Sequence, residues 1–172
     1  MADAPAPAAA DPADLRTSFR TRLEELDGRL HEVGSLAAAR ALARELVGDG
    51  TVARWRDATL DEIAGAEAPA EQADVSLVAG DVAVADTGAI GFAHGAGRDR
   101  AGGLLPSRQI ALVPASALVA TVAEALGRWF GGGRPPANVV FMAGPSRTAD
   151  IEQRIIRGVH APRELDVILF DD

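Results

Sequence analysis

Residues 138–172, NVVFMAGPSRTADIEQRIIRGVHAPRELDVILFDD, decide the fold class. The unbroken apolar run 138–143 is rich in β-branched residues, which predicts a strand buried on both faces, as in parallel sheets. Residues 149–157 are predicted to form a helix, because Asp150 lies in the first turn and basic residues lie in the last. A second apolar run, 165–170, is the next strand. We therefore predict a strand–loop–helix–loop–strand unit.

The loop of this unit, Gly144-Pro145-Ser146-Arg147-Thr148, is the first candidate binding site. Ser146 or Thr148 can cap the following helix by accepting a hydrogen bond from its free N–H groups. The N-terminus of a helix also favours an anion, and Arg147 adds a guanidinium beside it. An ordinary helix cap explains the two hydroxyls without a ligand, so both interpretations stay open.

His160 is a further candidate for the same cleft, because it lies between the predicted helix and the last strand. An imidazole in that position can face a ligand or lie on the surface. The sequence has only three histidines, and they are too scattered to form a recognisable zinc motif.

The alternation of strands and helices from residue 51 onward predicts an α/β fold, with a mostly parallel sheet and helices on both faces. Ligands of such sheets lie at the carboxyl ends of strands. Two loops are therefore candidates for the same cleft: Asp86-Thr87-Gly88, and the glycine-rich loop 91–103 with Arg98 and Arg100. The predicted strands are 51–55, 75–79, 82–85, 89–93, 110–113, 138–143 and 165–170, and a helix is predicted to begin at Ser116.

The N-terminal part is predicted to divide into a disordered tail, residues 1–10, and a helical segment, residues 11–48, ahead of the α/β domain, residues 49–172. Asp11 is the expected cap of the first helix. Apolar residues then recur at three- and four-residue steps as far as Val33, which predicts one amphipathic helix with His31 exposed near its end. Its apolar face packs on its own domain or on a partner. Ser35 is expected to cap a second helix, 36–47.

Composition excludes several kinds of chemistry. The sequence has no cysteine, so it cannot hold an iron–sulfur cluster by thiolates, and no lysine, which removes Schiff-base and P-loop lysine chemistry. A formal net charge of -8 argues against nucleic acid as a partner. No apolar run reaches the length needed to span a membrane, and the start lacks the basic region of a secretory signal. We expect a cytoplasmic protein.

Four motifs occur together in the second half of the sequence: Ala85-Asp86-Thr87-Gly88, Leu104-Leu105-Pro106, the run from Gly144 to Glu152, and Gly158-Val159-His160-Ala161-Pro162. Together they resemble the lactate-utilization protein C family. The joint spacing, which covers roughly residues 75–172, is more specific than any one motif. The sequence departs from the family pattern at Ala89, where Thr or Ser is usual, at Gln109, where His is usual, and at Ala161, where Gly is usual.

The resemblance implies a fold similar to the ribose-phosphate isomerase and CoA-transferase group. It also implies a role in the oxidation of L-lactate to pyruvate beside iron–sulfur partner proteins, which alone would carry the clusters. We expect an accessory or subunit protein that binds no cofactor itself and binds a small anionic metabolite; whether it catalyses a reaction stays open. The expected ligand-binding residues are Asp86, Thr87, Gly88, Arg100, Gly144, Pro145, Ser146, Arg147, Thr148 and His160.

Two other functions compete with this interpretation. The first is a free-standing enzyme that acts on a phosphorylated, nucleotide or CoA-like substrate, as relatives in fold do. The second and more remote is a dimeric aspartic protease, because Asp86-Thr87-Gly88 after an apolar run also matches the catalytic loop of retroviral proteases. That mechanism needs two carboxylates that share one proton, and it needs an all-β frame.

Overall fold

The computed structural model describes residues 11–132, 135–145 and 162–172, and the backbone alone at 147–148 and 156–157. The helices are α1 (Pro12–Glu25), α2 (Leu36–Val47), α3 (Arg100–Leu104) and α4 (Val122–Phe130). The strands are β1 (Arg29–Val33), β2 (Thr51–Arg54), β3 (Ala66–Glu67), β4 (Val75–Ala79), β5 (Val82–Val84), β6 (Ala89–His94), β7 (Arg108–Pro114), β8 (Leu118–Val119), β9 (Asn138–Met142), β10 (Arg147–Thr148), β11 (Ile156–Arg157) and β12 (Glu164–Phe170).

The main sheet has six strands in the order β1-β12-β7-β4-β2-β3, and every neighbouring pair is parallel. β4 is buried along its whole length, and β7 and β12 are buried except at their ends. Strands covered on both faces read as nearly continuous apolar runs, which is the pattern of residues 165–170. β12 lies between β1 and β7 and so joins the first strand of the chain to the rest of the sheet.

Helices cover both faces of the main sheet, which confirms the predicted fold class. Arg108 on β7 donates to the carbonyl of Leu46 in α2 over 2.7 Å, while the next residue, Gln109, donates to the carbonyl of Gly103 in α3. Successive side chains of a strand point to opposite faces, so α2 and α3 lie on opposite sides of the sheet.

A second sheet, in the order β8-β5-β6-β9, lies between α4 and the main core. Phe141 on β9 contacts the Trp129 ring of α4, with ring centroids 5.5 Å apart. Phe92, which faces the other way on β6, contacts Trp55 of the main core at 5.4 Å. The molecule is therefore layered, with α2, the main sheet, the second sheet and α4 in succession.

Both predicted strands of the unit at residues 138–172 are present, but the prediction that the first is buried on both faces within a parallel sheet is wrong. β9 pairs antiparallel with β6 at the edge of the second sheet and is only partly buried, whereas β12 is in the main sheet. An uncharged β-branched run suits an edge strand with packed faces as well as a strand inside a parallel sheet. Periodicity alone does not separate the two.

The prediction of one long N-terminal helix is also wrong. Asp11 caps α1 as expected, but the helix ends at Glu25, and Asp27 follows with a φ of 63°. A Cβ at residue 28 would lie 2.4 Å from Leu23 Cδ1, so a larger residue at that bend would displace the buried Leu23 side chain. The remaining apolar residues belong to β1, and His31 is not an exposed cap, because its Nε2 lies 2.9 Å from Asp166 Oδ1.

Smaller boundaries also differ from the sequence predictions. β6 extends to His94 and α3 follows, so residues 91–103 are only partly a loop. α4 begins at Val122 with Thr121 as its cap; Ser116 lies in a short 3-10 turn and bonds to Asp172 instead. The second predicted helix, α2, and its Ser35 cap are confirmed.

Candidate functional site

Two of the predicted site loops come together at one end of the second sheet. The β6–β9 register pairs Ile90 with Met142. This is the last pair at that end of the ladder, and Gly88, which follows β5, and Gly144, which follows β9, each lie two residues beyond it. Both glycines have positive φ, 66° and 75°. We call residues 86–88 and 144–145 the paired glycine turns.

The end of α1 holds the paired glycine turns in place. A Cβ at Gly88 would lie 2.5 Å from the backbone nitrogen of Leu23, and a Cβ at Gly144 would lie 2.5 Å from the carbonyl oxygen of Leu26. Both distances are shorter than a normal contact, so the backbone of each turn approaches the helix more closely than any other residue permits. The N-terminal helix is thus part of the framework of the site.

The two polar residues of the first turn have different roles. Thr87 accepts a hydrogen bond from Ala89 N over 3.3 Å through its hydroxyl, which stabilises the turn locally. Asp86 donates its backbone N–H to the carbonyl of Ala120 over 3.1 Å, and its side chain is exposed. The carboxylate is therefore accessible to solvent, while the hydroxyl of Thr87 is engaged by its own turn.

The second turn leads into a short antiparallel pair. Gly144 and Pro145 are buried, and the β10–β11 register pairs Arg147 with Arg157 and Thr148 with Ile156. Ile156 and Arg157 form a strand, so the helix predicted over residues 149–157 does not extend to Arg157. The side chain of Thr148 and the start of that predicted helix lie outside the described residues. Ser146, His160 and residues 149–155 and 158–161 lie outside the described residues.

Arg100 lies apart from the paired glycine turns. It is exposed at the start of α3, which follows the far end of β6 from Gly88. A strand of that length spans roughly 20 Å. The structure therefore does not bring Arg100 to the same place as Asp86 and Gly144.

Arg98, the other arginine of the glycine-rich loop, is neutralised by two carboxylates. It donates to Asp81 over 2.7 Å and to Asp57 over 2.5 Å, and its guanidinium carbon lies 5.7 Å from the centroid of the Trp55 ring. Burial lowers the pKa of Arg98, but the hydrogen bonds to Asp81 and Asp57 outweigh it and raise the pKa. Conversely, burial raises the pKa of Asp57, but hydrogen bonds from Arg98 and Thr59 bring it below its ordinary value.

This Arg98 cluster lies where an α/β sheet commonly binds ligands. β2 and β4 are neighbours in the main sheet. The next main-sheet strand along the chain after β2 is β3, which lies towards one edge, and the next after β4 is β7, which lies towards the other edge. The crevice outside the carboxyl ends of two such strands is a topological switch point. Asp57 and Asp81 follow those two strand ends, and the sequence signal that could have found them is an Asp just after each strand. With both carboxylates bound to Arg98, the cluster fixes the loop rather than leaving a cation free for an anion.

Gln109, one of the departures from the family pattern, anchors α3 to the main sheet. It is 1% exposed and donates to the carbonyl of Gly103, while its register neighbour Ser76 donates to the carbonyl of Gly102 over 2.6 Å. The Gln109 Oε1 is buried without a hydrogen-bond partner. The side chain therefore has a structural contact in the described part of the chain. Ala89, the other departure in this region, is buried at the start of β6.

A buried carboxylate lies at the amino ends of the strands, away from both regions. Asp166 is 0% exposed and accepts from Arg29 Nε over 2.8 Å, from Arg108 Nε over 2.9 Å and contacts His31 Nε2 at 2.9 Å. Burial raises the pKa of Asp166, but these hydrogen bonds and the charge of Arg108 outweigh it and hold the pKa well below its usual range. The cluster joins β1, β12 and β7 and is structural.

Within the described ranges, no three His, Asp or Glu side chains lie close enough together to hold a metal ion. Nor does any helix in the same residues have the length and apolar character needed to cross a membrane.

Comparisons with known proteins agree with this architecture. Lactate utilization protein C of Shouchella clausii is 38% identical over 106 residues, which are 60% of this chain and 46% of that protein. The chain thus spans about half the length of several relatives that it matches. Lactate utilization protein C of Deinococcus radiodurans is 31% identical over 177 residues, covering 96% of this chain and 84% of the relative.

Among solved structures, a DUF162 family protein from Deinococcus radiodurans matches with a TM-score of 0.67 and 25% identity, over 94% of this chain and 99% of that one. The LUD domain family matches residues 48–170, which include all strands of the main sheet except β1. The chain belongs to the LUD domain family.

Proposed function

We propose that this protein takes part in lactate utilization, as an accessory or subunit protein in the oxidation of L-lactate to pyruvate. The relatives named lactate utilization protein C support this role. Because the sequence contains no cysteine, we assign the electron-carrying clusters to iron–sulfur partner proteins. The cytoplasmic location expected from the sequence belongs to the same proposal.

The ligand in this proposal is a small anionic metabolite, bound at the paired glycine turns. The observation that carries it is the meeting of two separate family motifs, Asp86-Thr87-Gly88 and Gly144-Pro145, at the end of α1. The C-terminal end of a helix has partial negative charge, so an anion there needs positive groups that outweigh it. Arg147 is the arginine next in sequence to the turns, which makes it the decisive residue. Ser146, Thr148 and His160 stay in the proposed set.

Thermal unfolding of the full chain with L-lactate or pyruvate tests the ligand. At a hundredfold excess over Kd, binding stabilises the folded state by about 2.7 kcal/mol, which raises Tm by about 5–10 °C for a chain of this size. Arg147→Ala and Thr148→Ala should remove the shift. Arg163→Ala, which changes an exposed arginine elsewhere, should retain it. An unchanged shift in Arg147→Ala would overturn the site assignment.

Affinity purification from cell extract tests the partner. The expected result is a companion protein whose absorbance spectrum shows iron–sulfur clusters. A chain that is purified alone and turns over a substrate by itself would contradict the accessory role.

The free-standing enzyme remains the second candidate, and the same thermal experiment separates it. Stabilisation by nucleotides or CoA esters, without any effect of L-lactate or pyruvate, would favour the enzyme. The aspartic protease has lost its support, because the described residues form helices and a six-stranded parallel sheet in place of the all-β frame that the mechanism needs.

A further inference from the structure

Among the strands that the structure describes, one edge strand lacks the usual protection against pairing with another chain. Edge strands expose unpaired N–H and C=O groups, and proteins normally keep them short or charged. In the described part of the chain, β3 and β8 have two residues each, and β1 carries Arg29 and Glu32. β9 has five residues, Asn138–Met142, and none is charged.

One exposed flank of α4 is apolar, and the helix contacts this strand through Trp129, while the exposed charged residues Glu124 and Arg128 lie on the other flank. The exposed residues of the apolar flank, Ala123, Leu126, Gly127 and Phe130, recur at the spacing of one helical face. Leu126 is 37% exposed and Phe130 is 52% exposed, and they are two of the three large apolar side chains that are exposed among the described residues. Phe130 follows Trp129, whose ring contacts Phe141 on β9. We call the open edge of β9 together with this face of α4 the β9–α4 surface.

The edge of β9 is complementary to itself. A two-fold axis at Val140 would place Val140 opposite Val140, Val139 opposite Phe141, and Asn138 opposite Met142 of the other copy. Apolar cross-strand pairs stabilise an antiparallel ladder, and this pairing opposes no like charges. Since each chain carries a formal net charge of -8, two copies repel over most of their surfaces. The electrostatic repulsion between two copies is smallest where the surface is uncharged.

We propose that the β9–α4 surface is the interface of a two-fold symmetric dimer. β9 of one copy pairs antiparallel with β9 of the second copy, which joins the two four-stranded sheets into one of eight strands. The exposed side chains of α4 flank the new ladder. This inference is independent of the ligand and of the pathway.

Light scattering and sedimentation of the full chain over a concentration series test the dimer. The expected species is a dimer, and Phe130→Lys and Val139→Lys should each weaken it by at least about tenfold, as loss of a central apolar anchor does. Leu105→Lys, which changes the third exposed apolar side chain at 54% exposure, should leave the dimer intact. A wild-type chain that stays monomeric at the highest concentration, or that binds a different protein through this surface as a monomer, would overturn the proposal.

Hydrogen exchange of the wild type gives a second readout that needs no variant. The outward N–H groups of residues 138–142 should become protected as the concentration rises, because the ladder forms only in the dimer. Equal exchange of these amides in dilute and concentrated samples would exclude β9 pairing, whatever the variants do.

Discussion

The contact between Gly88 and the end of α1 predicts a large loss of stability in Gly88→Ala. A non-glycine residue at this positive φ costs about 1–2 kcal/mol. The new Cβ would also lie 2.5 Å from Leu23 N and 2.7 Å from Arg22 C, and overpacking of this kind adds about 1–3 kcal/mol. The total is about 2–5 kcal/mol, or a fall in Tm of about 4–20 °C.

Two variants separate the backbone strain from the collision. Asn tolerates positive φ better than Ala, but it brings the same Cβ, so Gly88→Asn should lose as much stability if the collision dominates. Gly127→Ala places a methyl group in open space on a helix and should gain about 1 kcal/mol. Urea and thermal unfolding measure the stability of Gly88→Ala, Gly88→Asn and Gly127→Ala. If Gly88→Ala unfolds within about 1 kcal/mol of the wild type, α1 does not hold the turn and the framework of the candidate site is wrong.

Three further predictions concern the ion clusters. Asp166→Asn removes a buried carboxylate from its cations and should cost about 3–5 kcal/mol in urea unfolding, whereas Asp172→Asn, which changes an exposed carboxylate, should cost far less. The pKa values of Asp166 and Asp57 are lowered in the folded state. Their contribution to the free energy of unfolding is therefore present above about pH 4 and is lost as pH falls through the folded-state pKa. Asp166→Asn should make the free energy of unfolding depend less on pH in acid, and the same pH dependence as in the wild type would contradict this prediction. Arg98→Ala leaves Asp57 and Asp81 without their cation and should lower the free energy of unfolding by about 1–3 kcal/mol. Hydrogen exchange of residues 95–98 should also become faster. Exchange at the wild-type rate in these residues would show that the cluster does not fix the loop.

Local signals in the sequence were enough for the parts of the fold that depend on local chemistry. Asp11 and Ser35 cap their helices as predicted, because a side-chain oxygen next to free N–H groups acts over two or three residues. The buried runs of β4 and β12 were also recognisable, because strands covered on both faces contain few polar residues.

The parts that failed depend on distant partners. Leu30 and Val33 continue a helical spacing, but pairing with β12 makes them a strand. Residues 138–142 carry no local sign that they pair with β6 at an edge. For the site, the sequence predicted that the loops at Gly88 and Gly144 share a cleft; that stays a prediction, and the structure shows that both turns approach the end of α1. The sequence could not show that Asp57 and Asp81 would bind Arg98, since the three residues are far apart along the chain.

The position of β12 has a consequence for synthesis. β1 leaves the ribosome early, but among the described strands its neighbour in the sheet is β12, more than a hundred residues later. Until that strand emerges, β1 and β7 each present an open edge, and pairings over such long separations form slowly. A ribosome that stalls before residue 164 therefore holds a nascent chain with two vacant edges, which is the kind of intermediate that chaperones bind and that aggregates without them.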